Sequence, residues 1–552
     1  MINIFLLSIL ATLLFTPLGL LTNKKELNFI PDYEKLSRLL IYSIIVVSFI
    51  ALFLNFFTPL NRLINTIFLL IPIIILINYK NYFFKFRYLL FAILISLISF
   101  FLIAKSNTYR PDAGLYHLPF ISILNNEKII FGLSNFHYRF GHISIIQYTS
   151  AFFNNFIFLN NGIVLPAALI YAGVVVNFFF QIKNYLYKKD YNFHLIYLIS
   201  VTIYIVGKMN RYSEFGNDSP SHIFFLFLLS EILKNNFSHK ISEIKNFFLL
   251  SIFIIMNKIF FIFSIFFPLI FLSKKNFQKI ILNSKMIFIS LFVILWLLKN
   301  IIISGCALYP IKFTCFTSLP WTDIKQAKIV SNENEAWAKS WPGHDNKNGK
   351  ISHSDYIKKF YWVKTWLMFN GFKSFKIIFV YSLILTVFGL AVYSNKKVKH
   401  SSKFKNKYLR YTLIILIFGT LIWFLKAPDY RYGTGYIIGL LSLIFANIIC
   451  KKLNKNFKNI SITILTISIF VFLINNSIRI FTENSNYLNN PWPKYYSHSS
   501  DNIYIKPNKI TIDGKNLYIS KGLCMYGLAP CSRNKGKFKI IKKFNYDFFI
   551  NK

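Results

Sequence analysis

Acidic residues are scarce in this chain: 20 Asp and Glu stand against 63 Lys and Arg, a formal net charge of +43. An excess of this size suits nucleic acid or an anionic membrane surface. The basic stripe interleaved with aromatics that would track a nucleic acid strand is missing, so nucleic acid is not an expected partner. Two plainer sources explain the charge. Lys, Asn, Ile, Phe and Tyr are all abundant, as an A/T-rich genome produces, and the basic residues gather in loops between apolar runs, as a positive-inside topology requires. Cysteine is also sparse. The five cysteines have no paired histidines beside them, which leaves a zinc site without a ligand pattern. The apolar runs lack the alternation of transmembrane β-barrel strands. No internal repeat is visible, which weighs against transporters built from two related halves. The N-terminal run INIFLLSILATLLFTPLGLL has neither a basic n-region nor an A-x-A-like cleavage site, so it reads as a first span and not a cleaved signal peptide.

What the chain does have is hydrophobicity: 55% of its 552 residues are hydrophobic, 19% are aromatic, and 63 are Phe. Several runs reach the roughly 20 helical residues that cross a bilayer, and backbone amides in lipid must pair within their own segment. The expected fold is an all-α polytopic membrane protein of about 13–14 hydrophobic passes, ending in a small, mostly β extramembrane domain. The passes divide into N-terminal spans over 1–105, central spans over 160–304 and C-terminal spans over 376–478. Between them lie a first large outer loop, 106–159, and a second, 305–375; a tail domain occupies 479–552. The basic clusters Lys24–Lys25, Lys80–Arg87, Lys183–Lys189, Lys396–Arg410 and Lys451–Lys458 all fall on one side if the spans alternate. That side is expected to be cytoplasmic, with both loops, the tail and both termini on the periplasmic side of a bacterial inner membrane.

Residues 247–272 test this scheme. They form one apolar run flanked at both ends by basic residues, Lys240 and Lys245 before it and Lys274, Lys275 and Lys279 after it. A single pass would expose one basic loop on the wrong side. Two short helices turning near Asn257–Lys258 resolve the conflict and aim Lys258 into a protein-covered or wet cavity. On the oxidising side, Cys306 is expected to pair with Cys315 and Cys524 with Cys531. In the tail, the β-prone runs around Asp513–Gly514 predict a hairpin.

The candidate chemistry lies in polar clusters set between apolar runs. Residues 106–142 hold Arg110, Asp112, Tyr116, His117, His137, Arg139 and His142. A carboxylate at the mouth of a membrane cavity can accept a proton from a hydroxyl nucleophile or hold a divalent cation, Mg or Mn; Asp112 can also cap the amphipathic run that follows it. The histidine spacing fits no zinc pattern and suits polar packing or acceptor binding. A second cluster supplies Arg211, Glu214 and Asp218, and Asp218 is equally a helix start before Pro220. A third, Lys426-Ala-Pro-Asp-Tyr430-Arg431, places two cations where they can clamp a phosphate, and Lys299 and Asn300 can join them. Trp321, Trp337, Trp341, Trp362 and Trp366 suit either sugar stacking or an interface belt.

Together, Pro111-Asp112-Ala-Gly-Leu-Tyr-His117, the acidic stretch Glu214 to Asp218, Met256-Asn-Lys258 and Pro428-Asp-Tyr-Arg431-Tyr432 resemble the membrane-embedded glycosyltransferases of the GT-C superfamily. The first loop also resembles that of multispanning bacterial membrane proteins with a YHLP-type motif. The GT-C likeness implies a polyprenyl-phosphate-linked sugar donor and a glycan, lipid or protein acceptor. It makes Asp112, with Glu214 and Asp218, catalytic. It makes Lys258, Lys299, Lys426 and Arg431 ligands of the lipid phosphate. Many of those enzymes carry two adjacent acidic residues in the first loop, whereas here Asp112 is followed by Ala113. A flippase, or a polymerase or ligase of a lipid-linked glycan, shares the compartment and carrier and is the alternative; a transporter calls for charges at mid-depth in several spans, and only Lys258 fits that requirement.

Overall fold

Long apolar runs become helices because their amides have no water to turn to. The computed structural model describes residues 2–22, 32–104, 112–142, 144–208, 218–343, 351–358, 360–393, 406–482, 506–533 and 536–551. Among the described residues, nine helices are long and apolar enough to cross a bilayer: Asn3–Leu21, Tyr33–Asn55, Phe86–Ile103, Leu159–Lys188, Ser284–Ser304, Trp362–Val392, Lys407–Lys426, Tyr430–Ile449 and Phe457–Thr482. Three shorter apolar helices accompany them, Arg62–Asn78, Phe193–Lys208 and Ile259–Leu269. The chain is a multi-pass helical membrane protein. The helices Asp218–Leu233 and Ile241–Asn257 complete the expected passes, although they and the three shorter ones fall below the length of a full span.

The helix expected from residue 376 instead starts at Trp362. Trp362 and Trp366 are buried with Trp423 and Ile437 in a core of their own, and the Trp366 indole N–H donates to the Pro428 carbonyl. Aromatic burial thus carries the helix out of the apolar run into a stretch that reads as loop. The run 247–272 breaks at Lys258, whose backbone is extended (φ −151°, ψ 107°) between Ile241–Asn257 and a 3₁₀ turn, Ile259–Ile265. The two arms fold back on each other: Ser251 Oγ donates to the Ser264 carbonyl at 2.9 Å and Ser264 Oγ to the Ser251 carbonyl at 3.3 Å.

The tail forms β1 (Asn508–Ile512) and β2 (Lys515–Ile519), an antiparallel pair, with β3 (Cys531–Ser532) parallel to β2, and a separate hairpin of β4 (Phe538–Lys543) and β5 (Tyr546–Asn551). Asp513 and Gly514 both take positive φ, 47° and 80°, the backbone of the tight hairpin turn that Asp-Gly favours. Both disulfides, Cys306–Cys315 and Cys524–Cys531, are formed.

The tail packs directly on the first loop. Phe131 N–H donates to the Asp547 carbonyl (3.0 Å) and Phe549 N–H to the Phe131 carbonyl (2.8 Å). Met525 N–H donates to the Gly114 carbonyl at 2.9 Å. Tyr526 Oη donates to Asn125 Oδ1 (3.0 Å) and accepts from Asn154 Nδ2 (2.5 Å). Gly132 N–H in turn donates to the Ile302 carbonyl, near the end of Ser284–Ser304 (2.8 Å). Tail, first loop and the C-terminal end of that helix therefore share one face. At the opposite end, Glu34 holds Arg38 (3.3 Å) and Lys234 (2.7 Å), and Arg38 also reaches Glu231 (3.2 Å).

Candidate functional site

Helix ends converge on the face that carries the tail. Ile241–Asn257 stops there, Asp218–Leu233 starts there, Lys407–Lys426 ends there and Tyr430–Ile449 begins there. Between them lies a cavity of about 680 Å³, within the ~300–1,000 Å³ of small-molecule sites. Asp112, Tyr116, His117 and Arg139 of the first loop line it, with Asp218, Lys258, Lys426 and Arg431. Residues spread over more than three hundred positions of sequence thus share one hollow.

Its carboxylates are held in different ways. Asp112 makes no cap bond with its side chain; its Oδ2 lies 3.9 Å from Arg431 Nη1, with the two side chains 43% and 53% exposed. Asp218, in the first turn of its helix, binds Lys258 Nζ directly, and these side chains are only 24% and 9% exposed. Lys258 also sits 4.1 Å from the centre of the Tyr432 ring. Glu335, from the helix Ile324–Ala338 in the second loop, takes Lys426 (3.2 Å) and Lys339 (2.6 Å). Arg431 itself is anchored locally: Asp429 Oδ1 accepts from the Arg431 N–H (3.1 Å), Asp429 Oδ2 lies 3.4 Å from Arg431 Nε, and Arg431 Nη2 donates to Tyr432 Oη (2.7 Å).

The chain belongs to the family described as Domain of unknown function (DUF8201). The family model matches residues 1–438, so the described cavity lining lies inside the family segment, while the last span and the β tail follow it. No curated protein and no solved structure matches this DUF8201 chain.

Two histidines have tautomers that geometry decides. The Ser144 N–H can only donate, and its partner is Gln147 Oε1 (3.3 Å). Gln147 Nε2 is therefore the group facing His117 Nδ1 at 2.6 Å, so Nδ1 accepts and the ring proton sits on Nε2. By the same reasoning Gly435 N–H donates to His222 Nδ1 (3.0 Å), and His222 Nε2–H donates to the Arg431 carbonyl (2.6 Å). Burial pushes His117 down to about 4, His142 to about 3 and His137 to about 4. All three are neutral at pH 7. Burial works against the charge of Arg139, but the tyrosines Tyr138 and Tyr116 and the Asp112 carboxylate outweigh it and hold its pKa above the usual value.

Not every candidate reaches the cavity. Lys299 is buried beside the Trp296 ring, 5.5 Å from its centre; its fellow candidate Asn300 lines the cavity, together with Trp296. Tyr430 bonds Tyr204 Oη at 2.5 Å. His137 accepts from the Arg139 N–H at 3.2 Å and shapes the turn. None of the five tryptophans singled out in the second loop lines the cavity. Trp321 donates to the Ile301 carbonyl (2.9 Å) and packs on Phe131 and Phe548. Arg110, Arg211 and Glu214 lie outside the described residues. Among the described residues, no group of three His, Cys, Asp or Glu side chains converges as a metal site; Asp112 and Asp218 each face a cation. Sequence reasoning passed over Gln147, Glu335 and His222. Only Gln147 left a signal, the Ser144-x-x-Gln147 capping box.

Proposed function

We propose that this protein is a glycosyltransferase of the GT-C kind, moving a sugar from a polyprenyl-phosphate carrier to an acceptor on the periplasmic face of a bacterial inner membrane. The observation that carries the reading is the gathering of Asp112, Asp218, Lys258, Lys426 and Arg431 around one cavity at one end of the helix bundle. Acid and base side chains opposed across a water-accessible hollow are what such a transfer needs: one group takes the acceptor's hydroxyl proton, others stabilise the departing phosphate.

Magnitudes divide the roles. A half-exposed pair at 3.9 Å, such as Asp112–Arg431, is worth about 0–1 kcal/mol, so a substrate can part it and use both ends. The enclosed Asp218–Lys258 pair is far harder to open. Asp112 is therefore the base of this proposal and Arg431 the phosphate ligand, with Lys426 beside it. Asp218 and Lys258 fix the floor. The test is transfer from polyprenyl-phosphate sugars in membranes carrying Asp112→Asn. A loss of roughly 10²–10⁴-fold is expected for a missing general base; undiminished transfer would remove Asp112 from the chemistry.

A further inference from the structure

The cavity's cations are not equivalent. Arg431 faces Asp112 and Asp429, Lys258 faces Asp218, and Lys426 faces Glu335. Arg139 has no carboxylate within salt-bridge distance among the described residues. Its Nε donates to Tyr138 Oη (3.3 Å), and its guanidinium carbon lies 5.1 Å from the centre of the Tyr116 ring and 5.4 Å from that of Tyr138. Two aromatic faces and one hydroxyl thus orient the fork while its terminal Nη1 and Nη2 groups carry no protein bond among the described residues. The Tyr116 ring also borders His117, with ring centres 4.2 Å apart. His117 presents an Nε2–H, because Gln147 occupies Nδ1. Two donors, one charged and one neutral, therefore flank one aromatic ring in the cavity wall, and both belong to the first loop.

We infer that Arg139 and His117 form a second anion-binding subsite, separate from Arg431 and Lys426, which takes a carboxylate or phosphate monoester on the sugar-bearing ligand. A planar fork held by aromatic faces suits bidentate recognition of such an oxyanion, and an N–H beside it supplies a third bond. The inference deepens the transferase reading by assigning an acidic group to one substrate, and it rests on that reading for the sugar alone.

The experiment is binding, not turnover. Purified full-length protein in nanodiscs is titrated with D-glucose, D-glucuronate and glucose 6-phosphate at matched chloride ionic strength, read by intrinsic tryptophan fluorescence and thermal shift. At least one of the two anionic probes is expected to bind roughly 10- to 100-fold more tightly than glucose, as a charge-assisted hydrogen bond allows. The probe that binds decides between carboxylate and phosphate. Arg139→Gln should abolish that preference, and Arg139→Lys should restore part of it. Equal binding of the three probes by the wild type, or a preference untouched in Arg139→Gln, overturns the subsite. Arg139→Lys and the glucose titration show whether the variants are folded. Asp112→Asn transfer assays fail or succeed independently of this result, so the two ideas fall separately.

Discussion

Replacing Lys258 by Met strands a carboxylate. Met keeps most of the side-chain volume and removes the charge, so the effect reports on the pair with Asp218 and not on packing. Exposed pairs are worth about 0.2–1 kcal/mol, while removing one partner of a buried pair costs about 3–5 kcal/mol. Lys258 is 9% exposed and Asp218 24%, nearer the buried limit, although Asp218 retains the field of Arg431. We expect Lys258→Met to cost about 2–3 kcal/mol. Adding Asp218→Asn should return part of that loss, because the amide carries no charge to strand. Reversible unfolding by SDS titration in mixed micelles, followed by tryptophan fluorescence, gives the four corners of the cycle. The expected coupling is about 1–2 kcal/mol; additivity within about 0.5 kcal/mol would show that the pair does not hold the chain break to the helix Asp218–Leu233, and the account of a fixed cavity floor would be abandoned.

Acid should weaken the first loop. His117, His137 and His142 are depressed by burial to about 4, 4 and 3, against about 6.5 in the unfolded chain. The unfolded state therefore binds more protons between pH 6.5 and 4, so the stability is complete above about pH 6.5 and is lost as pH falls, at up to about 1.4 kcal/mol per pH unit for each ring. Thermal unfolding between pH 7.5 and 5 checks this, and a flat profile would contradict it. Tyr526→Phe removes the hydroxyl shared by Asn125 and Asn154. It should cost about 1–2 kcal/mol and raise the protease sensitivity of the tail, whereas unchanged cleavage would mean that these bonds do not hold the tail to the loop.

Much of the site was legible because charge is conspicuous against an apolar background. Asp112, Asp218, Lys258, Lys426 and Arg431 stood out as titratable residues at the ends of hydrophobic runs. The cavity collects those same groups. The break at Lys258 could be read because basic residues on both flanks made a single pass inconsistent. Residues that depend on helix rotation could not. Lys299 and Asn300 are neighbours in sequence, but about 100° apart around a helix axis, and only Asn300 turns to the cavity. Glu335 and Asn334 come from a helix in the second loop that lines the hollow, a placement set by tertiary packing. His222 sits inside an apolar helix with no sequence cue that its ring would join Arg431 to Gly435.

On the proposed function, these buried contacts let the site be rigid and still admit a ligand. The Arg431 backbone is fixed from three sides, by the Asp429 cap, by His222 on its carbonyl and by the helix that begins beside it. Lys258 is fixed by the end of its helix and by Asp218. His117 is fixed by Gln147, which Ser144 orients, and the Ser144 hydroxyl in turn donates to Asn257 Oδ1 at 2.9 Å, next to Lys258. One chain of hydrogen bonds thus runs from the first loop to the helix break without passing through the Asp112–Arg431 contact. That contact is the long, half-exposed one. A ligand entering between these two side chains therefore gives up about 1 kcal/mol or less and leaves the supporting bonds intact, so binding draws on a backbone already in place and not on a rearrangement of the helices.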